Sequence, residues 1–192
     1  MKKNVMDINI KTKKEIPISM FSFLIAEIIQ YVSKSSENNN YNTDDNNNFD
    51  FEEQLSSFGY PIGEKILEIT FLRDKGHKRE LKIVNMLQFV HNNLWKHLFN
   101  KNADGIQKST EDKYEYRIIE NTPIVNRFIS QRSNSSNIVS FIAGIIEGFL
   151  NSAGFKCKVT SYFLDSNDGN TGKTFYIIKF DKDVIDKDDK MS

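Results

Sequence analysis

Apolar residues in the first half of the chain recur at the three- and four-residue spacing of amphipathic helices. We expect the first helix to run from Ser19, which suits an N-cap, to about Ser35. Five of its apolar positions share one face: Phe21, Leu24, Ile25, Ile28 and Val32. Three more widen the apolar surface beyond what one core contact covers: Met20, Phe23 and Tyr31. The pattern therefore predicts a second packing partner for this helix.

Further helices are predicted before residue 100. Asp50 to Phe58 fits a short helix that stops at Gly59, and Pro61 suits the first position of a helix to about Lys75. The helix that begins at Pro61, counted here as the second long helix, has these apolar positions: Ile62, Ile66, Leu67, Ile69 and Phe71. A third helix is expected over about 79–100, with one apolar face: Val84, Leu87, Leu94, Trp95 and Leu98.

The pattern changes in the second half. Residues 114–119 mix aromatic and β-branched side chains as strands do, and they fit a hairpin with a short strand near Ile106. A helix over 137–152 is apolar on nearly every face, and Gly144 and Gly148 would let a neighbouring element approach it closely. Two strands, 156–164 and 173–180, follow it, joined by a polar turn. The sequence thus predicts an α+β fold with helices on one face of a twisted antiparallel sheet of about four strands.

Polar stretches set the limits of a single domain at 18–185. Residues 1–17 are Lys-rich and aperiodic, so we expect a flexible N-terminal arm. Seven of the twelve residues at 37–48 are Asn, and such a tract buries too little surface to offset its ordering entropy. We therefore expect a disordered Asn-rich insertion there, and a flexible tail at 186–192.

Charge and cysteine content narrow the functional classes. Among 192 residues, Lys plus Arg and Asp plus Glu both number 26, so no overall attraction to nucleic acid or anionic membrane is expected. The single cysteine, Cys157, cannot form an intramolecular disulfide. Because no apolar stretch lies near Met1, a secretory signal is not predicted and the chain is expected to be cytoplasmic.

No motif in the sequence strongly indicates a catalytic, metal or ligand-binding site. Gly172-Lys173-Thr174 resembles the end of a phosphate loop, but the earlier glycine is absent and a strand follows where a helix is needed. The histidines are too scattered for a metal site. Cys157 alternates with apolar residues on a strand, which favours a buried structural thiol. We predict no catalytic residue, no cofactor and no metal, although a distant histidine could lie near Cys157 in space.

Several segments together resemble a known family. The most specific is WKHLFNKNAD at 95–104, preceded by GHKRELK at 76–82. Further matches follow in the same order at 116–126, 140–147 and 154–160. These segments look like the small subunits of the TRAPP (transport protein particle) complex, and most of all the subunit 5 branch of that family. Outside the Asn-rich tract, the resemblance covers about residues 17–185.

The resemblance implies the TRAPP small-subunit fold and a role as a scaffold. Members of this family join into a core that tethers vesicles in ER-to-Golgi transport and promotes nucleotide exchange on a Rab-family GTPase. The chain is then expected to be no enzyme by itself and to contact the GTPase through the assembled complex. Its association with Golgi and endoplasmic reticulum membranes would be indirect. A related subunit holds a fatty-acylated cysteine in an apolar channel, whereas this chain has no cysteine in its helical half.

The surplus apolar surface of the first two helices suggests how the scaffold holds its partners. We predict an interface with other TRAPP small subunits that includes six residues: Phe21, Phe23, Leu24, Ile28, Ile66 and Ile69. Each of them could equally pack inward on this chain's own sheet. The alternative function is a hydrophobic-ligand-binding module that uses a cavity between helices and sheet.

Overall fold

The computed structural model describes residues 17–39, 44–73, 79–124, 139–164 and 173–190. Its first two helices are α1 (Ile18–Asn39) and α2 (Asp44–Arg73). Next come α3 (Ile83–Phe89), a π-helical segment (Val90–Leu94) and α4 (Trp95–Phe99), which continue one another. Helices α5 (Ser140–Ser152) and α6 (Lys182–Lys190) lie in the second half.

The strands form one antiparallel sheet. They are β1 (Gly105–Lys108), β2 (Glu115–Glu120), β3 (Cys157–Leu164) and β4 (Lys173–Phe180), in the order β1-β2-β4-β3. Residues alternate along β4, with Thr174, Tyr176 and Ile178 fully buried on the side that faces the helices. Since the helices cover this one face, the predicted α+β arrangement is confirmed, as is the predicted close pairing of β1 with β2.

Helix α5 lies at the centre of the molecule, and every residue from Ser140 to Leu150 is buried. It crosses α2 at backbone contact, because each helix presents two glycines four residues apart. Cβ atoms built on Gly59 and Gly63 would overlap the carbonyl oxygens of Phe141 and Ile145. Cβ atoms on Gly144 and Gly148 would overlap the carbonyl oxygens of Ser56 and Tyr60. The predicted close approach at Gly144 and Gly148 is therefore confirmed, and α2 is the element that approaches.

An ion pair and hydrogen bonds link the segment after α4 to the end of β2. The carboxylate of Glu120 is fully buried, and the Lys101 ammonium lies 2.8 Å from its Oε1. The Tyr176 hydroxyl donates to Oε2 of Glu120 at 3.2 Å. One residue further, Asn121 N–H donates to Oδ2 of Asp104 at 2.7 Å. The KNAD segment at 101–104 thus fastens the helical layer to the sheet.

Side chains of α5 accept hydrogen bonds from the first residues of one edge strand of the sheet. Edge strands present unpaired N–H groups, and β3 is an edge strand. The Cys157 N–H donates to Oδ1 of Asn151 at 2.8 Å, and the Val159 N–H donates to Oε2 of Glu147 at 2.9 Å. This largely apolar helix therefore places two of its polar side chains, Glu147 and Asn151, one turn apart, where they accept hydrogen bonds from the backbone of β3.

Two element boundaries and the burial of one side chain differ from the sequence-based expectation. No helix ends at Gly59 and none begins at Pro61, since α2 continues through both and its packing on α5 outweighs the hydrogen bond that proline removes. Of the Asn-rich tract 37–48, residues 37–39 lie in α1 and 44–48 in α2, while 40–43 fall outside the described residues. Val84 is 51% exposed, so its placement on the apolar face was wrong; Ile83 is buried instead.

Of the predicted flexible tail 186–192, residues 186–190 instead lie in helix α6, whose Val184 and Ile185 are buried, and 191–192 fall outside the described residues. The charge of this segment predicts a solvated tail, yet one of its carboxylates caps another helix. Oδ1 of Asp188 accepts the Ile83 N–H at 2.8 Å, at the N-terminus of α3, where a negative charge is favourable. Of the arm 1–17, only Pro17 lies within the described residues; its carbonyl accepts the Met20 N–H at 2.9 Å.

Replacing Asp188 with Ala should lower the free energy of unfolding by about 1 kcal/mol, the typical cost of losing a helix cap. The cap is supplied from the other end of the chain, so its loss also loosens α6. Thermal unfolding of the purified chain measures the effect. Asp189→Ala is the matched control because Asp189 is exposed on the same helix. Equal melting temperatures for the two variants would contradict the capping role.

Candidate partner interface

Helix α1 has one buried face and one exposed apolar face. Ile25 and Val32 point into the core. Away from them, apolar side chains stand in solvent, and Phe23 is 75% exposed. The other exposed members are Met20, Leu24 and Tyr31. The core of this chain therefore accounts for only part of the apolar surface of α1, in line with the surplus predicted from the sequence.

Helix α2 carries a matching stripe opposite its contact with α5. Apolar residues recur there at three- and four-residue spacing, with Lys65 between them, and Leu72 is 67% exposed. The other apolar members are Phe58, Ile62 and Ile69. The glycine side of α2 packs on α5, so this stripe is the apolar side of α2 that α5 leaves exposed.

One aromatic contact joins the two stripes. The rings of Tyr31 and Phe58 meet edge to face, with centroids 5.6 Å apart. They place the exposed sides of α1 and α2 next to each other as a continuous surface, which we call the α1–α2 face. Its members are Met20, Phe23, Leu24, Glu27, Tyr31, Phe58, Ile62, Lys65, Ile69 and Leu72. Such an apolar surface on a two-helix face is typical of a protein–protein interface.

The six residues predicted for the interface fall into two groups. Phe23, Leu24 and Ile69 are exposed and lie on the α1–α2 face. Phe21, Ile28 and Ile66 are partly buried and pack against the core. The packing alternative therefore applies to this second group. Sequence reasoning did not include several exposed residues of the face, among them Phe58 and Leu72, although the spacing of Leu72 from Ile69 repeats that of Ile69 from Ile66.

The other candidate sites from the sequence are a metal site, a reactive thiol at Cys157 and a phosphate loop. Within the described residues, no cluster of three His, Cys, Asp or Glu side chains could hold a metal ion. Cys157 is buried, and burial raises the pKa of its thiol, with the Glu147 carboxylate adding to the effect. Since the thiolate is the reactive form, Cys157 behaves as a structural thiol, as predicted. Of the scattered histidines, His77 lies outside the described residues, as does Gly172, whereas Lys173 and Thr174 belong to β4.

The core between α5 and the sheet is filled by side chains. Ile146, Phe149 and Leu150 of α5 are fully buried, and they lie in one cluster with Tyr176 and Ile178 of β4. Burial also raises the pKa of the Tyr176 hydroxyl, and the neighbouring Glu120 carboxylate raises it further. In the part of the chain that the structure describes, no helix is long and apolar enough to cross a membrane.

Known proteins resemble this chain in sequence and in fold. The sequence model described as "Transport protein particle (TRAPP) component" matches residues 21–181. The chain is 41% identical over 179 residues to trafficking protein particle complex subunit 5 of Dictyostelium discoideum, covering 92% of this chain and 91% of that protein. It is 31% identical over 180 residues to subunit 5 of Homo sapiens, covering 93% and 87%.

The fold is also found in a solved structure, a trafficking protein particle complex subunit 3 from Naegleria fowleri covalently bound to palmitic acid. The TM-score is 0.61 over 85% of this chain and 97% of that one. At 15% identity this likeness concerns the fold alone. The family model and the subunit 5 relatives confirm the resemblance read from the sequence motifs, and the chain belongs to the TRAPP component family.

Proposed function

We propose that this chain is a scaffold subunit of the TRAPP vesicle-tethering complex that acts in ER-to-Golgi transport. By itself it is no enzyme; it supports the nucleotide exchange of the assembled complex on a Rab-family GTPase. It works in the cytoplasm, peripherally on Golgi and ER-derived membranes. Membership of the family supports this proposal.

The observation that carries the scaffold role is the α1–α2 face. Its exposed apolar side chains lie on helices that pack on the rest of the chain from behind: α2 through its glycines on the buried helix α5, and α1 through Ile25 and Val32. A preformed apolar surface needs little ordering when it binds, so more of the burial energy is retained as affinity. We assign this face to another TRAPP small subunit.

Replacing Phe23 with Asp should cut the recovery of other TRAPP subunits at least about tenfold, since it sets a charge among apolar groups that binding would desolvate. The measurement is affinity purification of the tagged chain from its own cells, with quantitative mass spectrometry of the retained proteins. Phe23 is preferred to Ile28, because Ile28 also packs against this chain's core.

Leu164→Asp provides the matched control, because Leu164 is an exposed apolar residue on β3, away from the α1–α2 face. It should leave recovery unchanged. Both variants should keep the wild-type melting temperature. Undiminished recovery with Phe23→Asp, from a correctly folded chain, would show that the face does not bind another subunit.

The alternative, a hydrophobic-ligand-binding module, has less support. The described core between α5 and the sheet is occupied by side chains of this chain, with Ile142 and Phe149 buried there. Native mass spectrometry of the purified chain tests the alternative. A retained lipid would favour ligand binding over the scaffold role.

A further inference from the structure

Two charged residues lie inside the α1–α2 face, at positions where the helical period would place apolar ones. Glu27 is three residues after Leu24 and four before Tyr31 on α1. Lys65 is three residues after Ile62 and four before Ile69 on α2. Both residues are exposed. Each helix of the face thus repeats the same order, apolar, charged, apolar, with opposite charges on the two helices.

Helices α1 and α2 follow each other closely in the chain and touch through Tyr31 and Phe58, which predicts an antiparallel pair with these two charges near the middle of the face. Tyr31 meets Phe58, so each step back along α1 from Tyr31 corresponds to a step forward along α2 from Phe58. Glu27 is therefore expected beside Ile62, and Lys65 beside Leu24. Apolar residues stand at both ends of the face, with Met20 and Ile69 at one and Tyr31 and Phe58 at the other.

A partner that covers this face removes water from both charges. An exposed ion pair such as Lys65 with Glu68, 3.4 Å apart, contributes little in solvent and does not offset that loss. A buried charge without a partner is strongly unfavourable, whereas a charge met by its opposite is tolerated. Polar residues at the centre of an apolar helical interface therefore fix the register and exclude wrong partners.

We propose that Glu27 and Lys65 select the subunit that binds the α1–α2 face. The partner presents a two-helix apolar surface with a Lys or Arg opposite Glu27 and an Asp or Glu opposite Lys65. This inference rests on the proposed scaffold function, and it adds the chemistry of the partner. The apolar stripes supply affinity, and the two charges supply the choice among subunits of similar fold.

A second copy of this chain is the competing occupant, because a two-fold axis between the charges would set Glu27 of one copy against Lys65 of the other. A different subunit is favoured because the relatives of this chain are named as subunits of a complex with several numbered subunits. The two occupants respond differently to exchanging the charges, so one experiment separates them.

Glu27→Lys and Lys65→Glu should each reduce the recovery of the bound TRAPP subunit at least about tenfold, since a like charge across an interface costs several kcal/mol. Affinity purification from the protein's own cells, quantified against the tagged chain, measures the loss. Glu53→Lys and Lys96→Glu are the controls, because they make the same charge changes at exposed helical positions outside the face. Both controls should retain the subunit.

The double variant Glu27→Lys with Lys65→Glu decides the occupant. A different subunit meets two mismatches, so its recovery should stay as low as with the single variants. Two copies of the double variant, carrying different tags, would instead recover each other, because the exchanged charges again match across the axis; that result would overturn the proposal. Retention of the subunit by both single variants, while Phe23→Asp loses it, would overturn the charge selection and leave the scaffold function standing.

Discussion

Replacing Gly144 with Ala should lower the free energy of unfolding by about 3 kcal/mol or more. The added Cβ would overlap the backbone of Ser56, where α2 crosses α5, and no side chain can rotate away to make room. Overpacking a core usually costs about 1–3 kcal/mol, and this site lies at the upper end because both contacting groups are helix backbone. Thermal unfolding of the purified chain should show a melting temperature about 6–12 °C lower.

Gly105→Ala is the matched control for this substitution. Gly105 lies at the start of β1, and the nearest atom to its added Cβ is Cδ1 of Ile119, at an ordinary contact distance of 3.9 Å. We expect the melting temperature of this variant to stay within about 2 °C of the wild type, because a strand tolerates Ala at least as well as Gly. Similar losses at Gly105 and Gly144 would show that the helix crossing is not tightly packed.

Lys101→Met should cost about 3 kcal/mol, the lower end for removing one partner of a buried ion pair, because Glu120 is buried while the Lys101 side chain is 33% exposed. The Glu120 carboxylate would remain fully buried with the Tyr176 hydroxyl as its donor at 3.2 Å. Denaturant unfolding of the purified chain measures the loss. Lys65→Met is the control, because its ion pair with Glu68 is exposed and is worth about 0–1 kcal/mol.

A double-mutant cycle shows whether the cost comes from the unpaired charge. Adding Glu120→Gln to Lys101→Met removes the buried charge while leaving an oxygen that can accept the Tyr176 hydroxyl proton. The double variant should therefore recover about 1 kcal/mol or more relative to Lys101→Met alone. Strictly additive losses would mean that Lys101 stabilises the fold through packing of its aliphatic stem rather than by neutralising Glu120.

The fold class was readable from the sequence because the strong periodic signals lie in elements that are buried on a defined side. β4 was predicted at its observed bounds, and the glycines of α5 correctly predicted that another element packs closely on this helix. The helix α2 that approaches them was predicted as two helices, since Gly59 followed by Pro61 is a typical end of one helix and start of the next. Only the packed structure shows that the backbone contact with α5 uses Gly59 and carries the helix through Pro61.

The candidate site was harder to predict, because periodicity shows that residues share a face but not which face turns outward. Phe23 and Ile28 were equally apolar candidates, yet Phe23 is exposed while Ile28 packs against the core. The distinction depends on which side of α1 meets α2. That contact joins residues far apart in the sequence, as the ring contact of Tyr31 with Phe58 illustrates.

The hydrogen bonds from β3 to side chains of α5 affect self-association most before a partner binds. A newly made subunit that waits for its complex exposes an apolar surface, and chains in that condition tend to associate through open sheet edges, which propagate strand by strand. Here the apolar surface is helical, while Asn151 and Glu147 already occupy the outward N–H groups of Cys157 and Val159. An unassembled chain can therefore bind a matching helical surface while the first half of this sheet edge is closed to strand pairing.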